Sequence, residues 1–405
     1  HLGIDIFVPL FIVFRALGVE TDKEISLQKR RHSLCFDRNG LDFLVQLTDK
    51  LCRSTPPKKL ASQIALLVSR TGIPNSFSSL EKIKLSLFKL LSPIFYSPLI
   101  NIAKKSMHKE FKTLIIDYNE KDFDKTLQRL SNQGITININ HLGEEILGEE
   151  HASQYVSKII NSIENHNINS ISIKLSSLYS QLSPISWKET QEIVIDRLRK
   201  IFETALNYPF FNAKNQAQQK LIYIDMESHR ELNITIDCFI KALSHPKFKS
   251  CKAGICLQAY IPDSFESQKK LTDWAIKRTQ KGGTPIQLRL VKGANLGIEK
   301  IISATEGWIE PIYDQKASSD ANFKRMIQYA FQPKHAQSVH IGVGTHNLFD
   351  IAFVLLERSE KNVEQYVSFE LLYGMAETTR KTLKLFTDNV LVYCPVVEKT
   401  HTDAA

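Results

Sequence analysis

The sequence predicts an α/β chain: a closed (βα)8, TIM-type barrel preceded by an all-helical arm. Three observations predict it. From residue 135 onward, eight short β-branched runs alternate with amphipathic helical stretches, and strict alternation of that kind builds a parallel sheet with helices outside it. No G-x-G-x-x-G follows a strand, so the main signal of the rival fold, an open doubly wound sheet, is missing. Up to about residue 130 the apolar residues instead recur at intervals of three and four, the helical period.

The arm is assigned to residues 1–130 and the barrel to 131–405. The apolar stretch IDIFVPLFIVF near the N-terminus contains Asp5 and Pro9. It falls short of the roughly 20 apolar residues of a spanning helix. It also lacks the positive flank and cleavage site of a signal peptide, so it reads as a helix packed on the main body. LDFLVQLTDKLC (41–52), LASQIALLVSR (60–70) and the run from Leu80 to Lys105 supply further helices, punctuated by Pro56-Pro57 and by Gly72 to Pro74. No nucleophile or ligand cluster falls among them.

The eight runs are ITININ (135–140), SISIKLS (170–176), LIYIDME (221–227), AGICLQAY (253–260), PIQLRLVKGA (285–294), VHIGVGTH (339–346), VSFELLYG (367–374) and VLVYCPV (390–396). Between the first two, Tyr155, Val156, Ile159, Ile160 and Ile163 mark one face of a helix. Ser186-Trp187-Lys188-Glu189 reads as a capping box opening another. The sequence ends soon after the eighth run, so the last barrel helix is expected to lie beyond Ala405. With His1 rather than Met at its start, the chain is expected not to begin where its gene does.

Composition narrows the partners. The formal charge of +9 is spread along the chain without a basic arm, which fits a basic surface able to meet acidic lipid better than a nucleic-acid binder. The six cysteines form no C-x-x-C and are too sparse for a disulfide scaffold, so a reducing cytoplasm is expected.

Barrels of this type build their sites at the carboxyl ends of the strands. Those ends carry Asn140, with Glu144 just beyond; then Lys174; Asp225 and Glu227; Gln258 and Tyr260; Arg289 and Lys292; Thr345, His346 and Asn347; Glu370; and Tyr393. Each has a plain structural reading. Lys174 can reach water from a strand end, Asp225 and Arg289 can pair, His346 can be a satisfied core histidine, and Tyr393 can pack with its hydroxyl bonded to backbone. Their recurrence at successive strand ends favours a site.

Within QLRLVKGANL, two cations stand in a buried run, and an unpartnered buried guanidinium costs several kcal/mol, so an anion is expected there. A metal-dependent hydrolase is one reading, with His141, Glu144, Asp225 and His346 as ligands. It lacks H-x-H and H-E-x-x-H, and the cations at Lys174, Arg289 and Lys292 oppose a divalent ion. An anionic cofactor suits them better, with Lys292-Gly293-Ala294 letting backbone approach a pyrophosphate.

ISIKLSSL, IDMES-x-R, LQAY, RLVKGANL, GTHN, FELLYGMAE and VYCPV, in this order, resemble the flavin-dependent proline dehydrogenase barrel, in particular that of the bifunctional proline utilisation A proteins. The resemblance covers roughly residues 135–398. It implies a distorted barrel that binds FAD, oxidises L-proline to 1-pyrroline-5-carboxylate by hydride transfer and passes the electrons to a membrane quinone. It further implies an aldehyde dehydrogenase domain downstream and a cytoplasmic protein that touches the membrane peripherally.

By motif, Arg289 would sit near flavin N5 with Asp225 in the same charged group, and Gln258 would bond the ring edge. Val291 would offer backbone. Lys292, Gly293, Ala294, His346 and Asn347 would hold the phosphates and adenosine, with Thr345 and Glu370 in the same cofactor set. Lys174 would meet the proline carboxylate while Tyr393 and Leu372 pack on its ring.

Three departures follow from the same resemblance. The family's Y-L-V-R-R arginine pair, which completes the carboxylate clamp, would fall just past Ala405. Losing it implies carboxylate binding weaker by about 30- to 5,000-fold, and a poor enzyme or a non-catalytic flavin-binding fragment. Glu144 matches the acid that pairs with one of those arginines. Asn295-Leu296 stands where some relatives carry Tyr-Trp.

Overall fold

The structure, a computed structural model, describes residues 37–52, 56–111, 115–118, 123–142, 146, 148–182, 186–212, 215–375 and 377–397. The apolar N-terminal stretch and Glu144 lie outside the described residues. Those from Phe123 to Pro395 make one compact unit; those from Asp37 to Tyr118, with Val396 and Val397, make another.

The helical unit contains α1 (Arg38–Cys52), α2 (Pro57–Thr71), α3 (Ser79–Leu91) and α4 (Tyr96–Phe111). Their apolar stripes meet in two clusters, Leu60, Ala61, Ile64, Phe88 and Ile100 in one and Phe43, Leu67 and Val68 in the other. The helical run predicted from Leu80 to Lys105 divides into two helices, α3 and α4. Pro93, which has no N–H to donate to the turn before it, stands at the break.

The barrel unit opens with α5 (Phe123–Asn132). Eight strands follow: β1 (Thr136–His141), β2 (Ser170–Lys174), β3 (Leu221–Asp225), β4 (Ala253–Gln258), β5 (Ile286–Val291), β6 (Val339–Gly344), β7 (Val367–Leu372) and β8 (Val390–Val397). Each pairs with the next in sequence, and β8 also pairs with β1, which closes the sheet. The registers from β1 to β3 and onward through β8 are parallel. β4 is buried at every position, the mark of a strand covered on both faces. All eight runs predicted from sequence are strands of this barrel.

Helices α6 (Glu149–Glu164), α7 (Trp187–Asn207), α8 (Leu232–Leu243) and α9 (Ser264–Gln280) make the first four crossovers. The fifth is longer, with α10 (Leu296–Glu306), α11 (Lys316–Ala330) and α12 (Pro333–Ala336), and distorts the regular alternation. α13 (Leu348–Glu360) and α14 (Glu377–Leu383) complete the described set. α7 shows how the pattern is set: Val194, Leu198, Ile201, Phe202 and Ala205 line its buried face at helical spacing.

The capping box expected at Ser186 is not formed. Ser186 adopts φ −95° and ψ 44° and makes no side-chain cap bond, because only an extended N-cap aims its oxygen back at the first free N–H groups. A capping box does form at α3, where Ser78 is extended and exchanges bonds with Glu81. Lys220, just before β3, is 1% exposed and spends its ammonium on the Asn165 and Ile168 carbonyls at 2.5 and 2.7 Å.

Candidate active site

Arg289 is the centre of the barrel mouth. Its neighbours Leu288 and Leu290 are fully buried, and alternation along β5 turns the guanidinium to the opposite side, where it is only 4% exposed. Nε donates to the Glu370 carboxylate of β7. Nη1 donates to Asp225 Oδ1 of β3 at 2.7 Å and to Ser172 Oγ of β2 at 3.0 Å.

The guanidinium also lies over the Tyr223 ring, 3.8 Å from its centroid, and 5.1 Å from that of Tyr393. Burial works against its charge, but Glu370 and then Asp225 outweigh burial and hold its pKa well above the ordinary value. Nη2 is buried with no protein partner.

The surrounding hydroxyls are donors. Tyr223 donates to Glu370 Oε1 at 2.6 Å and Tyr393 donates to Asp225 Oδ2 at 3.0 Å. Burial first, then Glu370 for Tyr223 and Asp225 for Tyr393, raises both phenols well above their usual pKa, so both stay protonated. A Cβ on Gly342 of β6 would stand 1.9 Å from Glu370 Oε1 and 3.1 Å from the Tyr223 hydroxyl. The glycine is the space in which the ionic cluster fits.

Lys174 ends β2 in register with Asp225, yet its ammonium meets Glu227 Oε1 at 2.6 Å. Both line a cavity of about 580 Å³ together with Tyr155, Arg230 and Glu231. Gln258 at the end of β4 donates to the Met226 carbonyl at 2.8 Å, while its own Oε1 is buried without a protein partner.

Lys292 is held by two carboxylates, Asp320 at 2.5 Å and Asp350 at 2.7 Å. Their hydrogen bonds outweigh burial and raise its pKa. The sequence reading left this ammonium for a diphosphate and did not anticipate either aspartate. Thr345 bonds Asp350 Oδ2 at 3.2 Å and accepts the Asn347 N–H, and Asn347 caps α13 through Phe349 and Asp350 N–H.

His346 Nε2 accepts the Leu372 N–H at 3.1 Å. Its Nδ1 is buried without a partner, and burial lowers its pKa, so the ring is neutral. Gly293 takes φ +116°, and any side chain there would enter the Tyr260 ring. The Val291 carbonyl is spent on Ala259 N–H at 2.8 Å, Ala294 is exposed, and Leu372 is 41% exposed at the end of β7.

Eight of the predicted residues fall into three groups, namely Arg289, Asp225, Glu370 and Tyr393; Lys174 with Glu227; and Lys292, Thr345 and Asn347 around Asp350; His346 meets Leu372 separately, and Gln258, Val291, Gly293 and Ala294 join none of the three. Unanticipated members are Tyr223, Ser172, Asp320 and Asp350. Tyr223 had a signal, because it lies two residues before Asp225 on one face of β3; Asp320 and Asp350 are both far from Lys292 in sequence, and nothing in the sequence pairs them with it. Among the described residues no group of three or more His, Cys, Asp or Glu is gathered to hold a metal ion. His141 bonds Ser162 at 2.7 Å, and Asp225 is engaged by Arg289 and Tyr393.

Arg289 Nη2, Gln258 Oε1 and His346 Nδ1 leave one buried donor, one buried acceptor and one ring nitrogen unused. Each of these atoms is of a kind that a planar heteroaromatic group such as an isoalloxazine hydrogen-bonds.

Comparison with known proteins gives the family of the chain. Residues 123–402 match the family described as proline dehydrogenase. Proline dehydrogenase 2 of Bacillus subtilis strain 168 is 25% identical over 278 residues, covering 67% of this chain and 77% of that one. Proline utilization A from Corynebacterium freiburgense superposes with a TM-score of 0.70 at 33% identity, over 75% of this chain and 31% of that one. The Bdellovibrio bacteriovorus protein, inactivated by N-propargylglycine, gives 0.74 at 24% identity over 93% and 37%, a likeness of fold. The chain therefore spans about a third of the length of the proline utilization A chains it matches. Among the described residues no helix is long and apolar enough to cross a membrane.

Proposed function

Because the chain belongs to the proline dehydrogenase family, we propose that it oxidises L-proline to 1-pyrroline-5-carboxylate with FAD as the immediate acceptor. The observation that carries this reading is Arg289: a buried guanidinium fixed on two sides by Asp225 and Glu370, with one N–H pair left over at the mouth of the barrel. A group held in this way is preorganised to meet negative charge that appears only during reaction.

FAD, when bound, supplies the hydride acceptor. Arg289 and Gln258 would hold its ring system, with Asp225 and Glu370 fixing Arg289. Val291, Lys292, Gly293, Ala294, Thr345, His346 and Asn347 would line the remainder. Because Lys292 is already neutralised by Asp320 and Asp350, backbone groups and the neutral His346 carry more of the diphosphate end than that lysine does.

For the substrate, Lys174 attracts the carboxylate, and Tyr393 and Leu372 pack on the ring so that its C–H is aimed consistently. The hydrogen on the ring carbon beside nitrogen would leave with the C–H electron pair to the hydride acceptor, the amine proton is released, and a C=N bond forms. Electrons then pass to a quinone at the cytoplasmic face of a membrane, and an aldehyde dehydrogenase partner takes the product onward.

The test is titration with FAD followed by L-proline without oxygen. Quenched flavin fluorescence and then bleaching of the flavin absorbance are expected, with Arg289→Met losing both. A chain that binds FAD but is not bleached by proline is a flavin-binding module, and a chain that binds no FAD refutes the reading.

A further inference from the structure

The largest fully buried side chain among the described residues, Tyr223, is a tyrosine where packing alone would be met by phenylalanine. Two glycines make room for it. On β4, Gly254 is its register partner, and a Cβ there would stand 2.5 Å from two carbons of the ring. On β6, a Cβ at Gly342 would stand 3.1 Å from the hydroxyl. A side chain at either position would displace the tyrosine, so the barrel interior is shaped around it.

The two ends of Tyr223 act on Arg289 in different ways. The face of the ring lies under the guanidinium, 3.8 Å from centroid to carbon. The hydroxyl donates to Glu370 Oε1 at 2.6 Å, while Arg289 Nε takes Oε2 of the same carboxylate. Asp225 is divided likewise, Oδ1 to Arg289 and Oδ2 to the Tyr393 hydroxyl. By formal count two carboxylates face one guanidinium, and a cation so matched in a buried place has little charge left over. Each phenol donor takes up part of one carboxylate. Arg289 then keeps positive charge to offer at Nη2, its unpartnered end.

We propose that Tyr223 is a positioning residue that sets the redox midpoint of bound FAD, acting through Glu370 and Arg289. The inference rests on the placement of Arg289 at the flavin. With the hydroxyl present, Glu370 is shared and the guanidinium keeps more of its charge, which favours the reduced flavin because reduction adds negative charge there. Without the hydroxyl, Oε1 of the buried Glu370 loses its donor, and the carboxylate turns wholly to Arg289. The flavin is then harder to reduce.

The experiment is the midpoint potential of FAD bound to the full chain, read by reductive titration against a reference dye in the absence of L-proline. It is run on wild type, Tyr223→Phe, Glu370→Gln and the double variant. Tyr223→Phe keeps the ring and removes only the hydroxyl. It is expected to lower the preference for reduced over oxidised FAD by about three- to tenfold, the worth of one hydrogen bond, which is a midpoint about 15–30 mV lower for a two-electron couple. Glu370→Gln removes the charge and is expected to raise the midpoint. In the double variant, loss of the hydroxyl is expected to change nothing further, because the charge it acts on is gone.

A tyrosine that only packs would leave the midpoint in place, whatever Tyr223→Phe does to Tm. An unchanged or raised midpoint in Tyr223→Phe overturns the proposal, as does the same drop on top of Glu370→Gln. If Tyr223→Phe does not fold, Glu370→Gln decides alone: a midpoint at or below that of wild type means that Tyr223 has no charge to act through. A chain that binds no FAD overturns both this inference and the flavin reading. Midpoints that shift as expected without bleaching by L-proline sink the proline reading alone, and bleaching by L-proline with equal midpoints sinks this inference alone.

Discussion

Arg289 on β5 and Glu370 on β7 bond across the strand that separates them, and Gly342 on that intervening strand leaves the gap through which they meet. The pair is almost wholly buried, its side chains 5% and 3% exposed. Removing Glu370 leaves Arg289 on Asp225 alone, removing Arg289 strands both carboxylates, and removing Arg289 and Glu370 together leaves Asp225 with the Tyr393 hydroxyl.

Glu370→Leu is accordingly expected to cost on the order of 3–5 kcal/mol of stability. Arg289→Met with Glu370→Leu together is expected to cost less than the sum of the two single changes. Urea unfolding of the three variants measures this as a double-mutant cycle. Simple additivity would mean that the pair is not coupled.

Gly342→Ala tests the gap itself. Its added methyl would stand 1.9 Å from Glu370 Oε1, inside any contact distance, so the cluster must shift. Overpacking of this kind costs on the order of 1–3 kcal/mol, read as a lowered Tm together with weaker FAD quenching. Unchanged Tm and flavin affinity would show that the cluster has slack.

Glu231 makes stability depend on pH. Burial, then Glu227, raises its pKa in the folded chain from 4.5 to about 7, so the folded state holds a proton that the unfolded chain has released. Its contribution is full below pH 4.5, is lost as pH rises from there to about 7, and is flat above. The loss is up to about 3 kcal/mol. Glu231→Gln is expected to flatten that part of the stability curve, measured by urea midpoints across the window; a parallel curve would remove Glu231 as the cause.

Cys238, Cys251, Cys256 and Cys394 are buried free thiols. Burial pushes Cys238 and Cys251 up to about 12 and the other two higher. The thiolate is the reactive form. Iodoacetamide is therefore expected to label these four positions only on unfolding, scored position by position by mass spectrometry. Rapid native labelling of any of them would show local opening at that site.

Much of the fold was legible because burial on both faces of a parallel strand leaves a short apolar, β-branched run, and each of the eight runs is such a strand. Several chemical positions were legible because closed barrels present strand ends to one mouth: Asp225, Arg289 and Glu370 were all named from their place in a run, and they meet. Tyr223 was missed because an aromatic residue inside an apolar run looks like packing until its hydroxyl is seen on Glu370. The capping box at Ser186 failed because the motif specifies residue types but not the extended backbone that the cap requires.

Strand order, strand count and the residues offered to the mouth were determined by the sequence alone, since period and burial are local properties of the chain. Beyond the Asp225–Arg289 pair, which charge meets which was decided only by the tertiary structure. Lys174 adjoins Asp225 in the register yet bonds Glu227, and Lys292 stands beside a strand end yet bonds Asp320 and Asp350. Partner choice between charges depends on distances of a few ångströms between segments far apart in sequence, and those distances exist only once the barrel has closed.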